Sequence, residues 1–193
     1  METLIINGSP RKNGDTMTLV NEMVTHLQGR VRIVHTYYEN ISPCCDCRHC
    51  WSKPECAIND AMQEIYKCLN DVDNVILASP IYLSELTGQL LSFASRFQVY
   101  WVARYLSKDK KINLKQKNGA LLISAGGDSK DLDERAFKTA NHIFSLINTH
   151  SIGMACTMHT NDLPAKDDIE ALSKVRELAL KLNEFHSSSQ SSI

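Results

Sequence analysis

No stretch of this 193-residue chain is an apolar run approaching the ~20 residues a membrane span needs, and its amino terminus shows no basic-then-apolar leader. Neither sign of charge dominates: 21 basic residues stand against 22 acidic ones, a balance that argues against a nucleic-acid surface. There is no internal repeat and no interior linker suited to a domain boundary. Missing too are a Ser-His-Asp set, paired carboxylates, a His-Glu-x-x-His pattern, the Gly-x-Gly-x-x-Gly of dinucleotide folds and a Walker loop. These absences leave one cytoplasmic domain, expected over residues 1–186, ahead of a Ser-rich tail, 187–193, read as disordered. A chain of this length buries roughly 70% of its unfolded surface, so the core needs no disulfides. Cysteine is nonetheless plentiful. There are seven, and five fall between Cys44 and Cys56, a clustering that marks a site rather than a set of staples.

Periodicity supplies the elements. Short apolar runs at 3–6, 31–36, 74–78, 120–124 and 152–158 read as strands. Helical spacing appears over 15–28, 59–69, 87–106, 133–147 and 166–185, with a lysine-rich connector at 107–118. Five strands alternating with helices, several of them continuously apolar, indicate an α/β domain, a doubly wound five-stranded parallel sheet covered on both faces.

In such folds ligands bind outside the carboxyl ends of the strands, where winding reverses. The loop after the first strand, Gly8-Ser9-Pro10-Arg11-Lys12-Asn13-Gly14-Asp15-Thr16, brings hydroxyls, two cations and backbone N–H groups to a helix amino terminus, the parts of a phosphate cradle; a polar turn capped by Asp15 or Thr16 is the plainer alternative. After the third strand, residues 79–88 set Tyr82 and Leu83 beside open amides where a flat ring could lie, or where Tyr82 simply packs on the next helix. After the fourth, Gly126-Gly127 permits close backbone approach.

Together these loops resemble the NAD(P)H-dependent FMN reductase group of flavodoxin-like proteins, in order, over about residues 1–160. Cys44-x2-Cys47-x2-Cys50-x5-Cys56 is similar to the compact motif of the iron-sulfur flavoproteins within that group. The resemblance implies a flavodoxin-like strand order 2-1-3-4-5. It implies FMN, with Ser9, Arg11, Asp15, Thr16 and Met17 around the phosphate, Pro80, Ile81, Tyr82, Leu83 and Ser84 along the isoalloxazine, and Gly126 and Gly127 closing the other side. FAD is not expected, because the loop leaves no place for an adenylate. Two positions depart from the pattern. Asp15 stands where members commonly have Asn, and a carboxylate beside a phosphate is favourable only if it points away or if Arg11 and Lys12 offset the repulsion. The usual Lys-x-x-x-Asp-Arg is here Leu91-Ser-Phe-Ala-Ser95-Arg96, so only the arginine survives and the contacts that the Lys and Asp make in relatives are not expected here.

Cysteines three apart can turn their sulfurs around one inorganic core, and Cys44, Cys47, Cys50 and Cys56 suit a 4Fe-4S cluster in a loop at 42–58. Zinc fits less well, since the second Cys-x2-Cys knuckle is missing, and free or redox-active thiols remain an alternative. Cys45 is read as a spare ligand, and Cys68 and Cys156 as small core residues. Trp51 and Pro54 would shield a cluster or form a plain hydrophobic plug. His49 and the other histidines read as solvated, with His159 alone on the ligand-binding edge.

The leading expectation is an FMN-dependent oxidoreductase passing electrons between a reduced donor, NAD(P)H or a ferredoxin-like protein, the flavin and the cluster. A flavin, quinone or nitroaromatic reductase without a cluster comes next. A non-catalytic carrier or a metal-binding docking protein is the reading from another class. The aromatic stretch Phe93, Phe97, Tyr100, Trp101 and Tyr105 exceeds what a surface helix needs, so part of it is expected to pack on a second subunit in a homodimer or higher homo-oligomer, an ordinary buried helix being the plainer alternative; no membrane or nucleic-acid partner is expected.

Overall fold

The computed structural model describes residues 1–106, 114–127 and 131–190, with side chains through Ser187. Most of the expected connector at 107–118 lies outside the described residues.

Five strands run parallel: β1 (Glu2–Asn7), β2 (Arg30–His35), β3 (Asn74–Tyr82), β5 (Lys117–Ser124) and β6 (Thr149–Thr157). Their spatial order is β2-β1-β3-β5-β6, the 2-1-3-4-5 order expected, with one addition. A two-residue strand, β4 (Glu85–Leu86), folds back antiparallel on the end of β3, pairing Ile81 with Leu86 and Tyr82 with Glu85. Seven helices are described: α1 (Asp15–His26), the short α2 (His49–Ser52), α3 (Met62–Asp71), α4 (Gly88–Ser95), α5 (Gln98–Tyr105), α6 (Leu132–Leu146) and α7 (Ile169–Gln190).

The period-2 alternation of the strands divides the core. Ile5, Ile76, Ala78 and Leu122 face α1 and α7, packing against Leu19, Val20, Met23, Leu178 and Leu182. Leu4, Ile6, Val75, Leu77 and Ile123 face the other layer, with Ile65, Phe93, Phe97 and Phe144.

Several boundaries differ from the sequence reading; β3, for one, runs on to Tyr82, past the expected end at residue 78. The segment 87–106 is two helices, broken at Arg96 and Phe97. There the Phe97 and Tyr100 amides bond three residues back, to Ala94 and Phe97, and the Arg96 carbonyl accepts instead from the Tyr66 hydroxyl at 2.9 Å. Strand β6 starts at Thr149, ahead of residue 152. Helix α7 continues through Gln190, so residues 187–190, read as the start of a disordered tail, extend that helix.

Candidate active site

Everything in the first loop hangs on Asn7, the last residue of β1 and fully buried. Its Oδ1 accepts the Ser9 N–H at 3.0 Å, while its Nδ2 lies 3.0 Å from both the Met17 sulfur and His35 Nδ1. Ser9, itself buried, accepts the Arg11 N–H on Oγ at 3.2 Å. The chain then enters α1 through Gly14, which supplies no side-chain cap, so the first-turn amides are left for an anion. The Asp15 carboxylate is directed elsewhere: Oδ1 accepts the Ala165 N–H at 3.0 Å, in the connection between β6 and α7. That is the orientation in which an acid beside a phosphate site is tolerable.

A second tether joins this loop to the next. Thr87 is fully buried; its Oγ1 donates to the Gly8 carbonyl at 2.8 Å and accepts the Leu90 N–H at 3.4 Å, capping α4. The Thr87 N–H in turn donates to Ser79 Oγ at 3.0 Å. The approach is so close that a Cβ on Gly8 would stand 2.8 Å from Leu90 Cβ and from the Thr87 hydroxyl, which explains the glycine. Tyr38, unmarked by the sequence reading, donates its hydroxyl to the Pro10 carbonyl and carries Lys12 over its ring at 4.9 Å.

The three loops meet in a small cleft of about 50 Å³. Ser9, Arg11, Asp15 and Thr16 line it from the first loop, Pro80, Ile81 and Tyr82 from β3, and Gly126 from beyond β5. The other expected residues lie outside. Met17 is in the core, held by Asn7, although it belongs to the first turn of α1. Leu83 and Ser84 form the tip of the β3–β4 hairpin, with φ of 53° and 60°, and Leu83 is fully exposed there. Gly127 is not part of the lining. Gly14, quoted in the first loop but given no role of its own, lines the cleft too, and the sequence reading missed Ser124, Ala125 and Thr160, which also line it. Ser124 Oγ lies 2.7 Å from Thr16 Oγ1 on the cleft wall. Thr160, not His159, is the residue that reaches the cleft after β6. The phenol of Tyr37, in the turn after β2, is pushed up by partial burial and by the neighbouring Tyr82, while the Thr87 hydroxyl opposes the rise.

The cysteine loop leaves the same carboxyl edge, after β2. Cys44, Cys45, Cys47, Cys50 and Cys56 line one cavity of about 380 Å³, together with Trp51, Arg96, Val99, Trp101 and Val102. Burial pushes the Cys50 thiol up against a backbone hydrogen bond that lowers it, and the nearby Cys44, Cys56 and Cys47 push it up as well, so these three stand within electrostatic reach of Cys50. Among the described residues, no group of three or more His, Cys, Asp or Glu converges tightly enough to hold a metal ion. Cys45 joins the lining as a fifth thiol. His49 is paired with Glu55 at 3.4 Å. Cys68 and Cys156 pack against the core, as expected, and burial raises both thiols.

Arg96, the one residue kept of the Lys-x-x-x-Asp-Arg pattern, is completely buried beneath this loop. Its Nη1 donates to Asp60 Oδ2 at 2.7 Å and to the Ser42 carbonyl at 2.9 Å; its Nη2 donates to Asp60 Oδ1 at 3.2 Å and to the Ile58 carbonyl at 3.3 Å. Burial would raise the Asp60 carboxyl, but Arg96 and the Ser42 and Met62 amides hold it below the usual range. Burial would likewise lower the Arg96 pKa, and Asp60, Tyr66 and Cys56 together raise it instead.

Residues 1–162 match the NADPH-dependent FMN reductase family. The chain belongs to that family. It is an oxidoreductase of the flavodoxin-like fold. It is 29% identical over 187 residues to an iron-sulfur flavoprotein of Methanosarcina thermophila, a match covering 92% of this chain and 91% of that protein. A similar relative in Methanocaldococcus jannaschii, also named an iron-sulfur flavoprotein, is 29% identical over 197 residues and covers 96% of each chain. Among solved structures, an NAD(P)H:quinone oxidoreductase from Methanothermobacter marburgensis superposes with a TM-score of 0.74 at 14% identity, covering 95% of this chain and 97% of that one. An FMN-dependent NADH-azoreductase from Bacillus anthracis, solved with FMN, gives 0.65 at 13% identity over 94% and 98%. These two likenesses bear on the fold. Among the described residues, no helix is long and apolar enough to cross a membrane.

Proposed function

We propose that this family member passes electrons between a reduced donor, FMN in the three-loop cleft and a 4Fe-4S cluster held by Cys44, Cys47, Cys50 and Cys56. One observation carries the reading: four thiols at cluster spacing surround a single cavity on the sheet edge that also bears the phosphate loop. Their x2, x2 and x5 spacing suits a multi-atom core, whereas a structural zinc site would draw on a second Cys-x2-Cys knuckle that this loop does not supply. When bound, FMN accepts two electrons from a hydride donor and releases them singly, and the cluster carries one at a time.

The chain's own residues bind and orient. Ser9, Arg11 and the first-turn amides of α1 hold the phosphate, with Asp15 turned aside toward Ala165. Pro80, Ile81 and Tyr82 would lie along the ring and Gly126 would let the opposite backbone come close, while Leu83 and Ser84 at the hairpin tip and Gly127 stand outside the cleft. Trp51, Trp101 and Val102 give the cysteine cavity an apolar wall. NAD(P)H or a ferredoxin-like protein is the donor. Trp101 and Tyr105 on α5 and Leu106 just after it, all exposed, support packing against a second copy. The reading places the protein in the cytoplasm, where thiols stay reduced.

The test is purification without oxygen, followed by an absorbance spectrum and assays for FMN, iron and acid-labile sulfide. Iron and sulfide should be nearly equal, and Cys47→Ser should lose both while retaining FMN. Stoichiometric zinc without sulfide would reject the cluster; FMN with neither metal nor sulfide would leave a flavin, quinone or nitroaromatic reductase.

A further inference from the structure

The cysteine loop departs at Ser42 and returns at Ile58, and both ends are received by one side chain. Arg96 donates from Nη1 to the Ser42 carbonyl at 2.9 Å and from Nη2 to the Ile58 carbonyl at 3.3 Å. Asp60 completes the closure by accepting from both nitrogens and from the Ser42 N–H at 3.0 Å. Two neutral donors could tie two carbonyls, and a buried ion pair is a weak source of stability compared with apolar packing of the same volume. A buried cation therefore calls for a reason beyond closing the loop.

That reason lies across the cavity. Arg96 lines it and Asp60 does not, so the pair turns its positive member toward the thiols. Cysteines that hold iron do so as thiolates, and four of them leave the assembled site anionic. The guanidinium also has a donor to spare: Nε is buried and has no hydrogen-bond partner among the described residues. A buried N–H left unpaired costs more than it contributes, whereas the same N–H aimed at a ligand sulfur is a recognised means of tuning a metal centre.

We propose that Arg96 is the positioning residue of the cysteine site, closing the loop at both ends, presenting positive charge to the four thiols and giving its remaining Nε–H to a sulfur there. The proposal rests on the reading that these cysteines hold an iron-sulfur cluster. Removing the guanidinium, or its counter-charge, should then shift the cluster's reduction equilibrium in opposite directions.

The experiment compares full-length wild type, Arg96→Lys and Asp60→Asn, each purified without oxygen. FMN content reports on the fold, iron and sulfide on the cluster, and a redox titration followed by electron paramagnetic resonance on its potential. In Arg96→Lys, which keeps a charge but lacks Nε–H and the fork, reduction should be about tenfold less favourable, a fall of about 59 mV for one electron. In Asp60→Asn, which strips the offsetting negative charge, it should rise. A loosened loop alone has no reason to produce opposite signs. Unchanged potentials, or shifts in the same direction, would overturn the electrostatic part, and Asp60→Asn alone still decides the sign if Arg96→Lys fails to retain FMN. Hydrogen exchange on iron-free, FMN-loaded protein tests the closure separately: amides in 42–58 should exchange at least tenfold faster in Arg96→Lys while β1 and β3 stay protected, and equal protection would overturn it. Wild type without iron or sulfide would defeat the cluster reading and the sulfur contact together, leaving the exchange result to judge the closure.

Discussion

Replacing Thr87 by valine should loosen the flavin cleft without touching it. The substitution conserves shape and removes one oxygen, which in the wild type caps α4 at the Leu90 N–H and ties the Gly8 carbonyl. Loss of a helix cap costs about 1 kcal/mol, and a buried carbonyl deprived of its donor about 1–3 kcal/mol, so roughly 2–4 kcal/mol of stability should go. Thr87→Ser keeps the oxygen and deletes a methyl group, for a cost of about 1 kcal/mol. The Gly8 carbonyl is where the phosphate loop begins, so part of the loss should reappear as FMN affinity: about tenfold weaker binding for each 1.4 kcal/mol that reaches the loop. Urea denaturation of FMN-free protein and flavin-fluorescence titration measure the two quantities. If valine and serine destabilise equally, or if the valine variant binds FMN as wild type does, the tether is not what holds the loop.

Arg11→Ala should weaken FMN binding by roughly 1.5–3 kcal/mol, the worth of a charged hydrogen bond, as read by the same titration; unchanged affinity would remove Arg11 from the phosphate site. Asp15→Asn should bind FMN at least as tightly as wild type, because an amide oxygen can still accept the Ala165 N–H while the negative charge is gone; weaker binding would show that the carboxylate takes a direct part. Lys117 is buried, with its ammonium donating to the Lys115 carbonyl at 2.8 Å, and burial, reinforced by Lys115, pushes its pKa from 10.5 down to about 8. Between those values the unfolded chain holds a proton that the folded one has released, so this residue makes stability rise with pH across that window and penalises the fold below it. Lys117→Met should raise the urea midpoint at pH 7 and flatten the rise between pH 8 and 10; parallel curves would contradict the assignment.

What could be read in advance was whatever the sequence states locally. Continuous apolar runs marked the five parallel strands, and the Gly-Ser-Pro-Arg loop marked one wall of the cleft, because strand burial and a polar loop at a helix start leave local signatures. What escaped depends on distant partners. The helix break at Arg96 follows from a hydroxyl thirty residues earlier, on Tyr66. The place of Arg96 under the cysteine loop required Asp60, and Ser124 and Thr160 enter the cleft only because the ends of β5 and β6 converge on α1. The Leu83-Ser84 turn was hidden for the opposite reason. Neither residue is a usual choice for two successive left-handed positions, so the hairpin is imposed by the pairing of β4 with β3.

The hydroxyls of Thr16 and Ser124, 2.7 Å apart on the cleft wall, own two hydrogens between them, and the contact uses one. Whichever oxygen donates across the pair, the other keeps an O–H to give away. An arriving oxyanion can draw that second hydrogen from either side by turning two rotors, with no backbone movement. The pair thus serves as a donor whose address is settled by the ligand, and a single alanine on either side would leave one hydroxyl that must choose between its neighbours.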